Sequence, residues 1–318
     1  MLTSFACIPT DSLASPTLPL TLRSLAAQDA PPDKVIIAVP PGDETRPPLS
    51  AWPDSLAIEV ISARRKGTAS QRNALLAAAD DADAVHFFDS DVELEPTYLR
   101  TAVHLLSSTS YVGIGGDIRS PLTERPNESK AVRILRRAAL STPAPGHVSR
   151  SGVNPRAQRT DGHVSPTMWM SGGAMSVRTE FARHARFPEC LEEGPTGPYA
   201  MAEDVHFSLQ LHRMGPLGIA WDCMATHLGD EQRRFLQTDF WQMKGYSRMI
   251  LARDFPDVVT PGAVRYGLAC DLAYRTVAAS RHERRAAQVG LTRALVDSFR
   301  GYPEAVQGAS TEASGCGV

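Results

Sequence analysis

Strand-like and helix-like segments alternate over the first hundred residues of this chain, and this order constrains the fold more than any other feature. Short apolar runs typical of buried strands occupy Leu2–Ile8, Val35–Val39, Leu56–Ser62 and Ala84–Asp91. Segments with the apolar spacing of helices are Pro19–Gln28, Ser70–Ala79 and Pro96–Ser107. Because parallel strands are joined by crossover connections that are usually helical, the pattern predicts an α/β fold with a parallel sheet.

The fourth of these strands ends in two aspartates, Asp89 and Asp91. Side chains alternate along an extended strand, so we expect both carboxylates to point to one side, at the ligand crevice of the sheet. Carboxylate oxygens suit Mg²⁺ or Mn²⁺, which share them with phosphates. Alternatively, the two acids cap the helix that follows Glu95-Pro96. A similar pair, Asp81 and Asp83, falls in the polar turn before the strand and is interpreted as solvated loop.

Composition narrows the class of protein. The chain has 318 residues, which is enough for one large α/β domain with an appendage, and its formal net charge of −2 predicts no nucleic-acid partner. None of its five cysteines has a neighbour at zinc-ligand or redox spacing. There is no secretory leader pattern and no apolar run of about 20 residues that could span a bilayer. We therefore expect a cytoplasmic setting.

The rest of the chain predicts less regular structure and then helices. Residues 141–165 are rich in Gly, Pro, Ser and Arg, which predicts either a lid beside a ligand site or a surface insertion. The basic segment Lys130–Leu140 could contact an anionic membrane surface through Arg133, Arg136 and Arg137, or be a solvated helix face. The further predicted elements are a strand at Met168–Val177, a helix at Ala202–Met214, a short strand at Gly218–Trp221 and helices at Glu231–Arg253, Ala263–Ala279 and Arg284–Arg300.

Four segments in order carry a resemblance to a known family. They are Ile8-Pro9-Thr10, Lys66-Gly67-Thr68-Ala69-Ser70-Gln71-Arg72-Asn73, Asp89-Ser90-Asp91 and Glu203-Asp204. Together they resemble glycosyltransferase family 2, whose members have the GT-A fold and use nucleotide-diphosphate sugars. The first helix, Leu20–Gln28, and the segment Met170–Arg178 are also similar to that family.

The resemblance implies a Rossmann-like, mixed but mainly parallel sheet flanked by helices, with a helical C-terminal appendage. The resemblance covers about residues 2–230, and we expect a nucleotide-sugar-binding and catalytic domain at 1–230. The helical patterns that follow predict an extension at 231–306, and the small, polar residues at 307–318 predict a disordered tail. The implied donor is a UDP-, dTDP- or GDP-linked sugar, and the acceptor is an unidentified hydroxyl compound.

The resemblance also assigns the donor side of the site. Asp91 is the expected ligand of Mn²⁺ or Mg²⁺, His227 is the candidate second protein ligand, and Asp89 is expected to reach the nucleotide ribose. Arg72 is expected to contact the nucleotide, because it opens a helix and presents a planar, permanently charged group. An exposed helix charge is the simpler interpretation of this arginine. The remaining nucleotide-sugar contacts are expected from Pro9, Thr10 and Ser90.

On the acceptor side, the resemblance makes Asp204 the general base that deprotonates the attacking hydroxyl, with Glu203 orienting the base or the acceptor. One base suffices for a single displacement, which inverts the anomeric configuration. The alternative is that both acids only complement the dipole of the helix they begin. Trp169, Gly172 and Gly173 are expected to form the sugar and acceptor pocket.

A departure from the family pattern keeps other functions open. The second strand ends Ala38-Val39-Pro40-Pro41-Gly42, without the acid that usually binds the nucleotide base, and Asp43 is the first acid after it. A catalytically degenerate member that binds nucleotide or carbohydrate is therefore the first alternative. A sugar nucleotidyltransferase is the second, and the absence of a Gly-rich phosphate loop in Ser4–Leu13 counts against it.

Overall fold

The structure is a computed structural model that describes residues 2–43, 52–119, 144–160, 162–194, 201–229, 237–278 and 281–300. The strands are β1 (Ser4–Pro9), β2 (Lys34–Val39), β3 (Ile58–Ser62), β4 (Ala84–Phe88), β5 (Val92–Leu94), β6 (Gly113–Arg119), β7 (Val164–Thr167), β8 (Ala174–Arg178) and β9 (Leu217–His227). The helices are α1 (Leu18–Ala26), α2 (Thr68–Ala78), α3 (Tyr98–Ser108), α4 (Thr179–Ala182), α5 (Glu203–His212), α6 (Thr238–Asp254), α7 (Pro261–Ala278) and α8 (Arg281–Arg300), with a short 3₁₀ helix at Glu189–Glu193.

All nine strands belong to one sheet, in the order β3-β2-β1-β4-β8-β6-β9-β5, with β7 paired to β9. Six strands run in one direction, and β5, β7 and β8 run in the other. Strand β8 lies antiparallel between β4 and β6, so its amino end meets the carboxyl ends of both neighbours. The predicted α/β fold with a mixed, mainly parallel sheet is confirmed.

The central strands are buried and mostly apolar because helices cover both faces of the sheet. In β1, Ala6 and Ile8 pack into one buried cluster with α1 and α3, whereas Phe5 and Cys7 pack into another with α2 and α5. Alternation along a strand delivers successive residues to opposite faces. The two hydrophobic layers pack against opposite faces of the sheet. They fix the relative positions of the carboxyl ends of β1, β4, β6 and β9.

Several predicted boundaries are wrong. The strand through Asp91 ends at Phe88, and the strand predicted at Met168–Val177 is confined to β8. The strand predicted at Gly218–Trp221 extends over all of β9, so His227 is its last residue and does not lie in a loop. Residues 164–165 of the predicted irregular segment belong to β7, which pairs with β9. The basic segment Lys130–Leu140 and the tail at 307–318 lie outside the described residues.

The predicted C-terminal helices are present as α6, α7 and α8. They form a third buried cluster that includes Trp241 and Leu268 and that also takes in Val205 and Leu209 of α5. His206 of α5 lies 2.8 Å from Asp254 at the end of α6, through Nε2 and Oδ2. The helical extension therefore supports the helix that begins with Glu203 and Asp204. None of the described helices has both the length and the apolar composition needed to cross a membrane. The domain boundaries stay a prediction.

Candidate active site

The site lies where the carboxyl ends of β4 and β9 meet the amino end of β8. Strand β4 is entirely buried and ends at Phe88, which pairs with Ala174 of β8. The backbone N–H of Asp89 then donates to Gly173 O at 3.3 Å. Asp91 lies in the turn that leads into β5. The two aspartates come together because the chain turns between them, not because they alternate along a strand.

A possible metal site is formed by Asp89, Asp91 and His227, whose candidate ligand atoms all lie within 4.8 Å of one another. Pairing of β5 with β9 places Val92 opposite His227, and the N–H of Leu228 donates to Asp91 O at 2.7 Å. His227 is buried, with Nε2 3.4 Å from Asp91 Oδ1. Two carboxylates and an imidazole are a donor set that suits Mn²⁺, and the carboxylates alone suit Mg²⁺.

Arg72 occupies the centre of the site. Its Nη2 lies 2.9 Å from Asp89 Oδ1, and its Nη1 lies 2.7 Å from Glu203 Oε1. The side chain is 2% exposed, and burial alone would lower its pKa, but the charges of Asp89, Glu203 and Asp204 raise it. Arg72 is therefore a buried, permanently charged link between Asp89, which follows β4, and the helix that begins with Glu203. It is not an exposed helix charge.

Asp204 is held by two backbone donors. The N–H of Gly172 donates to Oδ2 at 3.0 Å, and the N–H of Val205 donates to Oδ1 at 2.8 Å. Burial raises the pKa of Asp204, although these donors and the Arg72 charge oppose the rise. Burial also raises the pKa of the adjacent Glu203 to about 7, with the charge of Asp204 adding to it and Arg72 opposing it. Perturbed carboxyl groups in a cleft are typical of functional sites.

These groups share one cavity. Arg72, Asp89, Glu203, Asp204 and His227 all line a cleft with an empty volume of about 710 Å³, part of it open to solvent. Gly172 and Gly173 line it as well. A Cβ on Gly172 would collide with the Arg72 guanidinium, and one on Gly173 would lie 2.9 Å from Asp89 Oδ2. Both positions lack a side chain because charged groups pass close to the backbone.

The other predicted nucleotide-contact residues lie at the carboxyl ends of β1 and β4 but differ in their surroundings. Pro9 and Thr10 are buried at the end of β1, and the Thr10 hydroxyl donates to Ser12 O at 3.0 Å. Ser90 is half-buried between Asp89 and Asp91. Trp169, predicted for the sugar pocket, lines a second cavity that adjoins the first. Their proposed contacts with a ligand stay predictions.

Sequence reasoning missed two buried polar residues that shape α2. Gln71 donates through Nε2 to Thr10 O at 2.6 Å and to Ala38 O at 3.0 Å, which ties the helix to the ends of β1 and β2. Glu192 accepts the N–H groups of Ala69 at 2.5 Å and Ser70 at 3.1 Å. Its side chain lies where a Cβ at Gly67 would be, and Gly67 has φ +141°. No local pattern predicts Glu192, because it lies more than 120 residues from its partners.

Comparison with known proteins identifies the class. The sequence profile of glycosyl transferase family 2 matches residues 7–172, which is more than half of the chain. The chain therefore belongs to glycosyl transferase family 2, and the protein is a glycosyltransferase. The match includes Arg72, Asp89, Asp91 and Gly172. No curated protein sequence gives a significant match.

Solved structures share the fold. TarS residues 1–349 from S. aureus is 16% identical over 92% of this chain and 81% of that chain, with a TM-score of 0.53. The mannosyltransferase PcManGT from Pyrobaculum calidifontis, solved with GDP-Man and Mn²⁺, is 17% identical over 98% and 80%, with a TM-score of 0.52. GalNAc-T7, solved with UDP, GalNAc and Mn²⁺, is 14% identical over 98% of this chain and 58% of that chain, with a TM-score of 0.56. These similarities show the GT-A fold.

Proposed function

We propose that this protein transfers a sugar from a nucleotide-diphosphate sugar to an acceptor hydroxyl, with a divalent metal ion and with Asp204 as the general base. One observation carries the proposal above all others. Asp204 lines the same cavity as Asp89 and His227, two members of the possible metal site. A base on one side of a cleft and a metal site on the other is the arrangement that glycosyl transfer needs.

Asp89, Asp91 and His227 would hold the metal, and a bound Mn²⁺ or Mg²⁺ would neutralise the charge that develops on the leaving diphosphate. The backbone N–H of Gly229 donates to Nδ1 of His227 at 3.1 Å, so Nε2 is the ring nitrogen that faces Asp91.

Asp204 supplies the base. Its two oxygens are oriented by the N–H groups of Gly172 and Val205. An ionised carboxylate keeps further lone pairs for a third donor, the acceptor hydroxyl. Burial raises the basicity of Asp204, which favours proton uptake as the hydroxyl oxygen attacks the anomeric carbon. The bond from that carbon to the diphosphate breaks in the same displacement, and the anomeric configuration inverts.

Arg72 and Glu203 are positioning residues in this mechanism. The guanidinium binds Asp89 and Glu203 at the same time. It therefore fixes the distance between the donor half and the acceptor half of the cleft, and its positive charge limits the repulsion among three neighbouring carboxylates. Both terminal nitrogens of Arg72 already bind carboxylates. The expected direct contact between Arg72 and the nucleotide therefore stays a proposal.

Known complexes support a nucleotide-sugar donor. TarS residues 1–349 has been solved with UDP-GlcNAc and PcManGT with GDP-Man and Mn²⁺, and both share the fold of this chain. The two nucleotides differ in their bases. In this chain β2 ends at Val39 without an acid, and the next acid, Asp43, lies in a turn in which its backbone N–H donates to Pro40 O at 3.2 Å. Because β2 itself carries no acid that could select one nucleotide base, we propose UDP-, dTDP- or GDP-linked sugars as the donors to test.

The proposal is tested by measuring nucleoside diphosphate release from these sugars with Mn²⁺. The native protein should turn over at least one of them, and Asp204→Asn should lower the rate by about 10²–10⁴-fold while still binding nucleotide. Asp257→Asn is the control, because Asp257 is an exposed acid that is paired with Arg213 and does not line the cleft. Metal-dependent nucleotide binding without any turnover would instead identify a degenerate, binding-only member.

A further inference from the structure

A second cavity adjoins the candidate active site on the side away from β1. It has an empty volume of about 450 Å³, part of it open to solvent. The residues that matter to its chemistry are Asp117, Ile118, Arg156, Trp169, Ser171 and Trp221. Ile118, Arg156 and Ser171 also line the cleft that contains Asp204. A ligand that occupied both cavities would therefore pass directly beside the proposed base.

Trp221 reaches this cavity because β9 is interrupted by a bulge. Gly116 of β6 pairs with Ala220, but the next residue, Asp117, pairs with Met224, so residues 221–223 have no partners in β6. Bulges of this kind redirect side chains and are frequent beside active sites. The indole N–H of Trp221 donates to Ser165 Oγ at 2.9 Å, which fixes the ring. Regular pairing would place a different residue at this point of the sheet.

The two tryptophans offer ring surface to the cavity rather than hydrogen-bond donors. Trp169 Nε1 donates to Pro155 O at 3.1 Å, and Trp221 Nε1 donates to Ser165 Oγ, so both indole N–H groups already have protein acceptors. Each side chain is only half-buried. A half-buried aromatic ring with its polar atom satisfied is suited to stack against a flat, partly apolar ligand.

Polar groups stand beside these rings. Asp117 is 26% exposed and accepts from Arg119 Nε at 3.3 Å, which leaves its second carboxylate oxygen for another donor. Arg156 donates through Nη1 to Ile118 O at 3.1 Å and has four further N–H donors. The combination of apolar ring faces with a carboxylate and a guanidinium matches a sugar ring, which has apolar C–H faces and hydroxyl groups at its rim.

The order of strands in the sheet separates this cavity from the donor side. The expected nucleotide contacts lie at the ends of β1 and β4, whereas the cavity is built on β6 and β9, and β8 lies between the two pairs. We propose that the cavity binds a sugar ring of the acceptor, so that the acceptor is a saccharide or a glycoside. This inference rests on the proposed transferase function.

The test uses saturation-transfer NMR with the methyl glycosides of glucose, galactose, mannose, rhamnose and N-acetylglucosamine. At least one glycoside should bind the native protein, and Trp221→Ala should weaken its affinity by about tenfold through loss of stacking. Trp221→Phe keeps an aromatic face and should retain most of the affinity. Phe299→Ala, which removes an aromatic ring exposed on α8, is the control and should bind as the native protein does.

A parallel thermal-shift measurement with UDP, GDP and UDP-glucose in the presence of Mn²⁺ separates this proposal from the function on which it rests. If Trp221→Ala is stabilised by the nucleotides as the native protein is, the donor side is intact and the change in glycoside binding belongs to the cavity. Failure of every glycoside to bind, or equal binding by Trp221→Ala, would overturn the subsite and leave the transferase function standing. If Trp221→Ala loses stabilisation by UDP-glucose but keeps stabilisation by UDP and GDP, the cavity binds the donor sugar and the acceptor subsite is overturned.

Discussion

Arg72 binds Glu203 through Nη1 and Oε1 at 2.7 Å, although 131 positions of sequence separate them. The pair joins α2, on the proposed donor side of the cleft, to the first turn of α5, on the proposed acceptor side. Because Arg72 also binds Asp89, a single guanidinium sets the spacing of the groups proposed to hold the metal and the groups proposed to activate the acceptor.

Arg72→Ala should lower the free energy of unfolding by about 3–5 kcal/mol, because it removes a buried guanidinium and leaves Glu203, which is 12% exposed, and the partly exposed Asp89 without their counter-charge. Urea denaturation measures the change. Arg100→Ala is the matched control, since its ion pair with Asp29 is exposed and should be worth less than about 1 kcal/mol. A similarly small decrease in the free energy of unfolding in both variants would show that the ion pairs of Arg72 do not stabilise the site.

Gly172→Ala should destabilise the protein by about 1–3 kcal/mol and reduce transfer activity, because the new methyl group collides with a guanidinium that two carboxylates hold in place. Gly262→Ala is the control, since nothing lies within 4 Å of a Cβ at that helical position. It should leave activity unchanged and raise stability by up to about 1 kcal/mol. Equal effects of the two substitutions would contradict the close packing at Gly172.

Asp91→Ala should abolish the Mn²⁺-dependent rise in melting temperature that UDP or GDP produces, because it removes one of the three candidate ligands. The second Asp-x-Asp sequence provides the control. Asp81 is exposed in the turn before β4, so Asp81→Ala should keep the full metal-dependent shift. A shift that survives in Asp91→Ala would place the metal elsewhere.

Glu192 should make stability depend on pH. Burial raises its pKa to about 7 in the folded protein, from 4.5, although the N–H groups of Ser70 and Ala69 lower it. The folded state therefore binds the proton more tightly than the unfolded state. The contribution of Glu192 to the free energy of unfolding should be greatest below about pH 4.5, and it should fall as the pH rises through about 7.

Glu192→Gln keeps an acceptor for the N–H groups of Ala69 and Ser70 but removes this titration. Urea denaturation at several pH values should show a shallower fall than in the native protein, by up to about 3 kcal/mol across the window. The slope that remains is expected from Glu203, whose pKa is also raised to about 7. Glu193→Gln controls for the change in surface charge, and identical slopes in native and Glu192→Gln proteins would refute the assignment.

Much of the donor half of the fold could be predicted from sequence because its signals are local. Strands β1 to β4 and helices α1 to α3 lie within a few residues of their predicted positions, since each has its own apolar periodicity or β-branched run. Strand β6 was not predicted, because Gly113-Ile114-Gly115-Gly116 lacks the side chains that mark a strand. Its glycines are explained only by the folded structure, in which a Cβ at Gly116 would meet the Tyr98 ring and Cys223 O.

The amino-acid sequence by itself determined the class of fold, the family, and the residue types that stand at the strand ends, because periodicity and short motifs act over a few neighbouring residues. Only the tertiary structure decided which of these charged groups meet. Arg72 pairs with Glu203, and Glu192 accepts an N–H group from the first turn of α2. A bulge in β9 places Trp221 in the same cavity as Trp169. Such partners are set by the order and direction of strands in the sheet, and a one-dimensional pattern carries no record of contacts between residues that lie far apart in the sequence.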